Sequence, residues 1–156
     1  MTGIPAVPLR KATVADVPDL HTLIRAEARE HRVLARSLAD LYDSVRDFWV
    51  CEEEGVVAGC AALAVVWEEL GEVRSLVVRP ENRGRGLGVS LVRGCLGEAH
   101  ELGLERVFVL TYIPELFRRL GFHPVPKADL PHKVWADCIH CPDFPDCGEE
   151  ALLLEL

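Results

Sequence analysis

The chain has 156 residues, 49% apolar and 27% charged, which is enough apolar side chain for one core and too much for bulk disorder. Its 17 basic and 25 acidic side chains give a net charge of -8, which argues against a nucleic-acid partner, because phosphate binding needs a basic face. The longest nearly apolar run, 56–67, falls short of the ~20 residues of a membrane span, and the N-terminus lacks a secretory pattern, so a cytoplasmic protein without a membrane partner is expected.

Two prolines mark residues 1–8 as a loose tail, and Leu9–Ala12 reads as a short strand. Thr13 and Asp16 have capping-box spacing, after which Val17, Leu20, Ile24 and Ala28 recur at helical spacing. Ser37 and Asp40 repeat the cap before Leu38, Leu41, Val45 and Phe48, so two amphipathic helices are joined by 31–36. A strand at Phe48–Glu52, a turn at Glu53–Gly55 and a strand within Val56–Trp67 follow. A turn at Glu68–Gly71 leads into the strand Glu72–Val78, which Pro80 ends. Leu87, Leu91, Cys95, Ala99 and Leu102 share one face of a helix stopped by Gly103. Then come a strand at Arg106–Thr111, a short helix at Glu115–Leu120 closed by Gly121, and a strand at Phe122–Val125. A Cys-rich loop fills 126–149, and Ala151–Leu156 ends the chain as an apolar strand. The pattern predicts a single α/β or α+β domain over 1–156, with helices around one sheet.

The most informative stretch is Leu76-Val-Val-Arg-Pro-Glu-Asn-Arg-Gly-Arg-Gly-Leu-Gly88, which joins an apolar strand to a helix. A helix N-terminus presents unpaired N–H groups and partial positive charge. Gly84, Gly86 and Gly88 let that backbone approach a ligand, and Arg83 and Arg85 add charge, which suits a pyrophosphate. No Gly-Lys-Ser/Thr ends the loop as a Walker A motif requires, and the glycine spacing is not that of a dinucleotide fingerprint. A solvated Gly-Arg turn is the plainer alternative.

Arg83-Gly-Arg-Gly86-Leu-Gly88 resembles the acetyl-CoA loop Arg/Gln-x-x-Gly-x-Gly/Ala of the GNAT N-acetyltransferases, and RVFVLTYIPELFRRLGF at 106–122 resembles their second cofactor region. The resemblance implies a mostly antiparallel mixed sheet whose two central strands splay apart. Acetyl-CoA would lie in the splay, paired with backbone at Leu76, Val77 and Val78, its diphosphate on Arg83, Gly84, Arg85, Gly86, Leu87 and Gly88. ARSLADLY, LGEVRSLVV, VFVLTY and LPHKVWADCIHCPDFPDC narrow the resemblance to short stand-alone N-acetylglutamate synthases. These acetylate the α-amino group of L-glutamate, so a small-molecule amino acid is the expected partner, with a homodimer left open.

The attacking amine must be neutral, which calls for a base. The family's acid in that role matches Glu72, with Glu68 and Glu69 as weaker choices and an exposed strand end as the bland reading. A backbone N–H near Val77 would serve the oxyanion. Thr111 aligns with a hydroxyl residue of the synthases and would orient substrate or the departing sulfur. Phe117 stands where many relatives have the Tyr that protonates the thiolate, and Tyr112 is the nearby substitute. Glutamate's carboxylates call for cations. Arg36 matches a substrate-binding Arg of the synthases, with Arg74 and Lys133 as further candidates. Arg74 shares a strand face with Glu72 and could pair with it. The synthases' C-terminal Arg and Ser pair is not found here, which leaves glutamine or another amino acid open.

Cys138, Cys141 and Cys147, with His132 or His140, supply zinc-ligand types in a non-standard spacing. The expectation is reduced thiols and no metal; zinc, if held, would be structural. The rivals are an acetyltransferase for another amine or a protein, and a non-catalytic acetyl-CoA sensor.

Overall fold

The computed structural model describes residues 8–30, 33–130 and 148–156. Seven strands form one sheet in the order β1-β2-β3-β4-β5-β7-β6. These are β1 (Leu9–Lys11), β2 (Phe48–Glu53), β3 (Val56–Trp67), β4 (Leu70–Val78), β5 (Arg106–Thr111), β6 (His123–Pro124) and β7 (Glu150–Glu155). All neighbours run antiparallel except β4 and β5, which are parallel. The helices are α1 (Val17–Arg29), α2 (Leu38–Asp43), α3 (Leu87–Glu101) and α4 (Pro114–Arg119). The mixed, mostly antiparallel sheet with flanking helices is the expected architecture.

Each face of the sheet has its own core. α3 buries Leu87, Leu91, Val92, Cys95 and Ala99 against Ala61, Leu63, Val73 and Val107. α1 and α2 bury Val17, Leu20, Ile24 and Leu41 against Val50, Cys60, Ala62 and Val77 on the opposite face. Alternate residues of β3 thus feed different cores, which is why that strand reads as one apolar run. Leu102, expected on the α3 stripe, is instead 57% exposed at the C-cap, and Leu104 is buried in its stead. Gly103, at φ +82°, ends the helix as expected.

Glu54 and Gly55, both at positive φ, make the two-residue hairpin turn between β2 and β3. The next turn is shorter than predicted, because β4 begins at Leu70, paired with Trp67. Leu70 is buried with Phe108 and Val66, and burial outweighs the local turn signal. Gly71 serves close packing rather than turning, since a Cβ there would lie 2.8 Å from Leu104 and 3.2 Å from Leu63. Glu72 is therefore the third residue of β4 and 7% exposed, not an exposed strand end.

The predicted cap before α1 also forms a tertiary tie. The Thr13 N–H donates to Asp16 at 2.7 Å, and Arg10 reaches the same carboxylate bidentately at 2.7 and 2.8 Å. Arg10 first, then the Thr13 N–H, hold the buried Asp16 carboxyl at about 2, below its ordinary 3.8, against the opposing effect of burial. A carboxyl depressed on folding stabilises above the unfolded value and loses that contribution as pH falls through the folded one. Asp16→Asn should therefore cost about 1–2 kcal/mol at neutral pH, a figure reduced because Arg10 is partly exposed. The difference between the two proteins in urea midpoint should shrink steadily from pH 4 to pH 2.

Candidate active site

β4 and β5 pair from Leu70 with Arg106 to Val73 with Val109, and pairing stops there. Beyond it β4 continues to Val78 along β3, while Leu110 and Thr111 of β5 stay with β7. The two parallel strands thus part in the middle of the sheet, and the edge of β4 from 74 onward faces a gap.

The parting coincides with a bulge. β4 uses three steps from Arg74 to Val77 where β3 uses two from Ala62 to Cys60. Ser75 carries the extra residue at φ +53°, in the left-handed region a side chain seldom occupies. Its carbonyl accepts the Cys60 thiol at 3.4 Å, and burial pushes that thiol's pKa up, so it stays a donor. The Arg79 N–H donates to the Ala58 carbonyl at 2.8 Å. Antiparallel alternation from that bond turns the Val77 N–H toward Cys60 and those of Leu76 and Val78 toward the gap. This corrects the expectation for Val77, which has its backbone on β3 and its side chain in the core. The Val78 carbonyl, facing the gap, accepts Arg83 Nε at 3.0 Å.

A cleft of about 310 Å³ opens at this gap. β4 contributes Glu72, Val73, Arg74, Ser75 and Leu76; β5 and the turn after it contribute Val109, Leu110, Thr111, Tyr112 and Ile113. Glu27, Arg36 and Glu149 also line it, with Phe117. The predicted base Glu72 and the predicted cations Arg36 and Arg74 are thus brought together, and Arg74 Nε is hydrogen-bonded to Glu72. Thr111 is buried, and its hydroxyl oxygen accepts the Ile113 N–H at 2.9 Å, which leaves its own proton to donate. Phe117 packs edge-on to Phe122, with ring centroids 5.3 Å apart, and supplies no hydroxyl. Tyr112, two residues beyond Leu110, lines the same cleft. Lys133 and the cluster of His132, Cys138, His140, Cys141 and Cys147 lie outside the described residues. Among the described residues, no group of His, Cys, Asp and Glu could hold a metal.

A smaller recess of about 170 Å³ shares Arg36, Arg74 and Ser75 with the cleft and adds Asp40, Asp43 and Asp47. Burial pushes the Asp47 carboxyl above its ordinary range, partly countered by Lys11 and Arg74.

The loop 83–88 lies at the end of β4. Gly84 and Gly86 have φ of +80° and +79°, and Gly86 caps α3 in the left-handed conformation without a side-chain partner. The Ser90 N–H makes the first bond of α3, to the Gly86 carbonyl at 3.1 Å, so the amides of 87–89 precede the helical ladder. Arg83 and Arg85 flank this turn, paired with Glu27 at 2.7 Å and Glu53 at 2.9 Å. Gly88 sits 3.1 Å, as a notional Cβ, from Leu116, which brings α4 against the start of α3. The donors suit a diphosphate.

Sequence reasoning missed Glu27 and Ser75. Glu27 stands seven residues after Leu20, on the apolar stripe of α1, and a charge on that stripe was the available signal. Nothing in the letters marks Ser75 as left-handed.

Residues 15–122 match the family model described as the Acetyltransferase (GNAT) family. The chain is 36% identical over 148 residues to an uncharacterised N-acetyltransferase of Chlorobaculum tepidum, covering 95% of this chain and 96% of that one. It is 42% identical over 130 residues to an amino-acid acetyltransferase of Mycobacterium tuberculosis, covering 81% and 74%. The N-acetylglutamate synthase of Neisseria gonorrhoeae, solved with coenzyme A and N-acetyl-glutamate, superposes with a TM-score of 0.86 at 27% identity. That match covers 96% of this chain and 35% of the synthase.

Proposed function

The chain belongs to the acetyltransferase (GNAT) family and uses acetyl-CoA, and from that premise we propose that it acetylates the α-amino group of L-glutamate in the cytoplasm, the first step of arginine biosynthesis. The observation that carries this reading is one cleft holding a buried carboxylate, Glu72, beside two guanidinium groups, Arg36 and Arg74. Acetyl-CoA supplies the activated thioester. Glu72 accepts the proton of the acceptor's ammonium, directly or through one water, and so makes the amine a nucleophile. Arg36 and Arg74 hold the acceptor's carboxylates. The Leu76 N–H, turned into the gap, stabilises charge that develops on the thioester oxygen. Thr111 orients the sulfur. Tyr112 returns a proton to it, a modest help, because a thiol of pKa about 8.5 already leaves as thiolate.

The two similar proteins called amino-acid acetyltransferase and N-acetylglutamate synthase support an amino-acid acceptor. The recess beside Arg36 favours a second reading. Asp40, Asp43 and Asp47 there would repel a side-chain carboxylate and would accept hydrogen bonds from an amide, which suits glutamine. The deciding measurement is CoA release by the purified protein with glutamate, glutamine, aspartate, ornithine and simple polyamines, with the product identified by mass. Glutamate should give the highest kcat/KM. A higher value with glutamine would replace the acceptor and keep the pocket. Turnover with polyamines alone would remove Arg36 and Arg74 from substrate binding.

A further inference from the structure

Two adjacent residues of β3 are fitted to the bulge of β4. The register runs from Ala62 with Arg74 to Cys60 with Val77, so Ala61 faces both Ser75 and Leu76. A Cβ at Gly59 would lie 2.9 Å from the Val77 carbonyl oxygen, so the bulged backbone has room only because no side chain stands there. Next to it Cys60 is buried, and its thiol donates to the Ser75 carbonyl at 3.4 Å. Burial above all keeps the proton on that sulfur. The ladder leaves the extra residue of a bulge unpaired, and here a side chain supplies the donor. The bond falls where Ser75 turns left-handed and β4 parts from β5.

We propose that Cys60 is a positioning residue for acetyl transfer, whose thiol pins the Ser75 bulge and thereby aims the Leu76 N–H into the gap between β4 and β5. This rests on the reading of that gap as the seat of the thioester. The Ser75 carbonyl and the Leu76 N–H belong to one planar trans peptide, so they point in opposite directions. Cys60 grips the oxygen from the β3 side, and the N–H is turned to the other side of β4, where the gap lies. Cys60 itself lies in the core under α1 and α2 and lines neither the cleft nor the recess, so it acts only through Ser75. A left-handed residue with a side chain relaxes toward extended backbone when nothing holds it. Relaxation at Ser75 rotates this peptide plane and turns the N–H off the thioester oxygen.

The test compares donors at position 60. Cys60→Ala, and Cys60→Val, which refills the volume, both lack a donor. Each should lower kcat about tenfold, a part of the roughly 10²–10³ that losing an oxyanion donor costs. CoA affinity by calorimetry should stay within about twofold, because a misaimed donor acts on the transition state. Cys60→Ser keeps a donor and should hold kcat within about threefold of wild type, whatever its Tm. Cys95→Ala, a thiol lost from the core on the opposite face, should lower Tm and leave kcat unchanged. Infrared spectra of bound acetyl-CoA, labelled with carbon-13 at the thioester carbonyl, read the donor directly. The carbonyl stretch should lie lower in the wild-type and Ser proteins than in the Ala and Val variants. An unchanged kcat in Ala and Val, or a loss in Ser equal to that in Ala, overturns the pin. A stretch that is the same in all four proteins, while kcat still follows the donor, supports the pin and overturns the seat of the thioester beside Leu76.

Discussion

Glu72→Gln should lower kcat by about 10²–10⁴-fold, the usual contribution of a positioned general base, while CoA affinity stays within twofold of wild type. The substitution isolates basicity from geometry. Glu72 is buried on β4 and accepts Arg74 Nε. A Gln carbonyl oxygen can accept the same bond, so Arg74 keeps its place and the cleft keeps its shape. What disappears is the carboxylate's capacity to take a proton. The loop 83–88 follows the far end of β4 from Glu72, so CoA binding reports whether the fold is intact. Stopped-flow turnover at saturating acetyl-CoA and amino acid, with CoA binding by calorimetry, separates the two. A kcat within threefold of wild type would remove Glu72 as base. The distinction also bears on Arg74. Loss of the Glu72 charge would leave the Arg74 guanidinium less neutralised, and the acceptor's carboxylate should bind it more tightly. A fall in KM for the amino acid beside the fall in kcat would place Arg74 on the substrate.

The loop 83–88 was legible because its requirement is local. Left-handed backbone selects Gly at 84 and 86, and that does not depend on distant residues. The Glu54–Gly55 hairpin was legible for the same reason. The parting of β4 and β5 was legible only as an implication of family resemblance, since no property of Val73 or Val109 announces that pairing ends there. Other features depend on partners far along the chain. Leu70 and Gly71 read as a turn, yet Phe108 and Leu104 draw them into β4. Ser75 takes a left-handed conformation that its own side chain disfavours, held by the bulge against β3 and by the thiol of Cys60. Leu102 fits the apolar period of α3, but the helix ends beneath it and Leu104 is buried instead. Glu27 was hidden in an apolar stripe, because its partner Arg83 is 56 residues away.

Gly86→Val should weaken CoA by at least tenfold and leave the kcat reached at saturation near wild type. Gly86 occupies φ +79° and ψ 12° as the cap of α3. A β-branched residue is a genuine outlier there, and the left-handed conformation costs a residue with a Cβ roughly 1–2 kcal/mol before crowding at the branch is counted. The chain escapes by rotating the turn, and rotation moves the amides of 87–89 that open toward the anion. The loss then has two sources, strain in the loaded loop and misaimed donors, and both fall on the diphosphate. Gly84→Ala is the graded control. Gly84 also has positive φ, at +80°, but nothing lies within 4 Å of a Cβ placed on it. Its cost is conformational only, so CoA should weaken by less than in Gly86→Val. The base, the cations and the Leu76 amide lie upstream on β4 and α1–α2, outside the altered turn, so turnover of the loaded enzyme should persist. Pantetheine, lacking the diphosphate, should bind both variants as it binds the wild-type protein. Equal weakening of pantetheine and CoA would mean that the loop shapes the gap between β4 and β5 rather than seating phosphate.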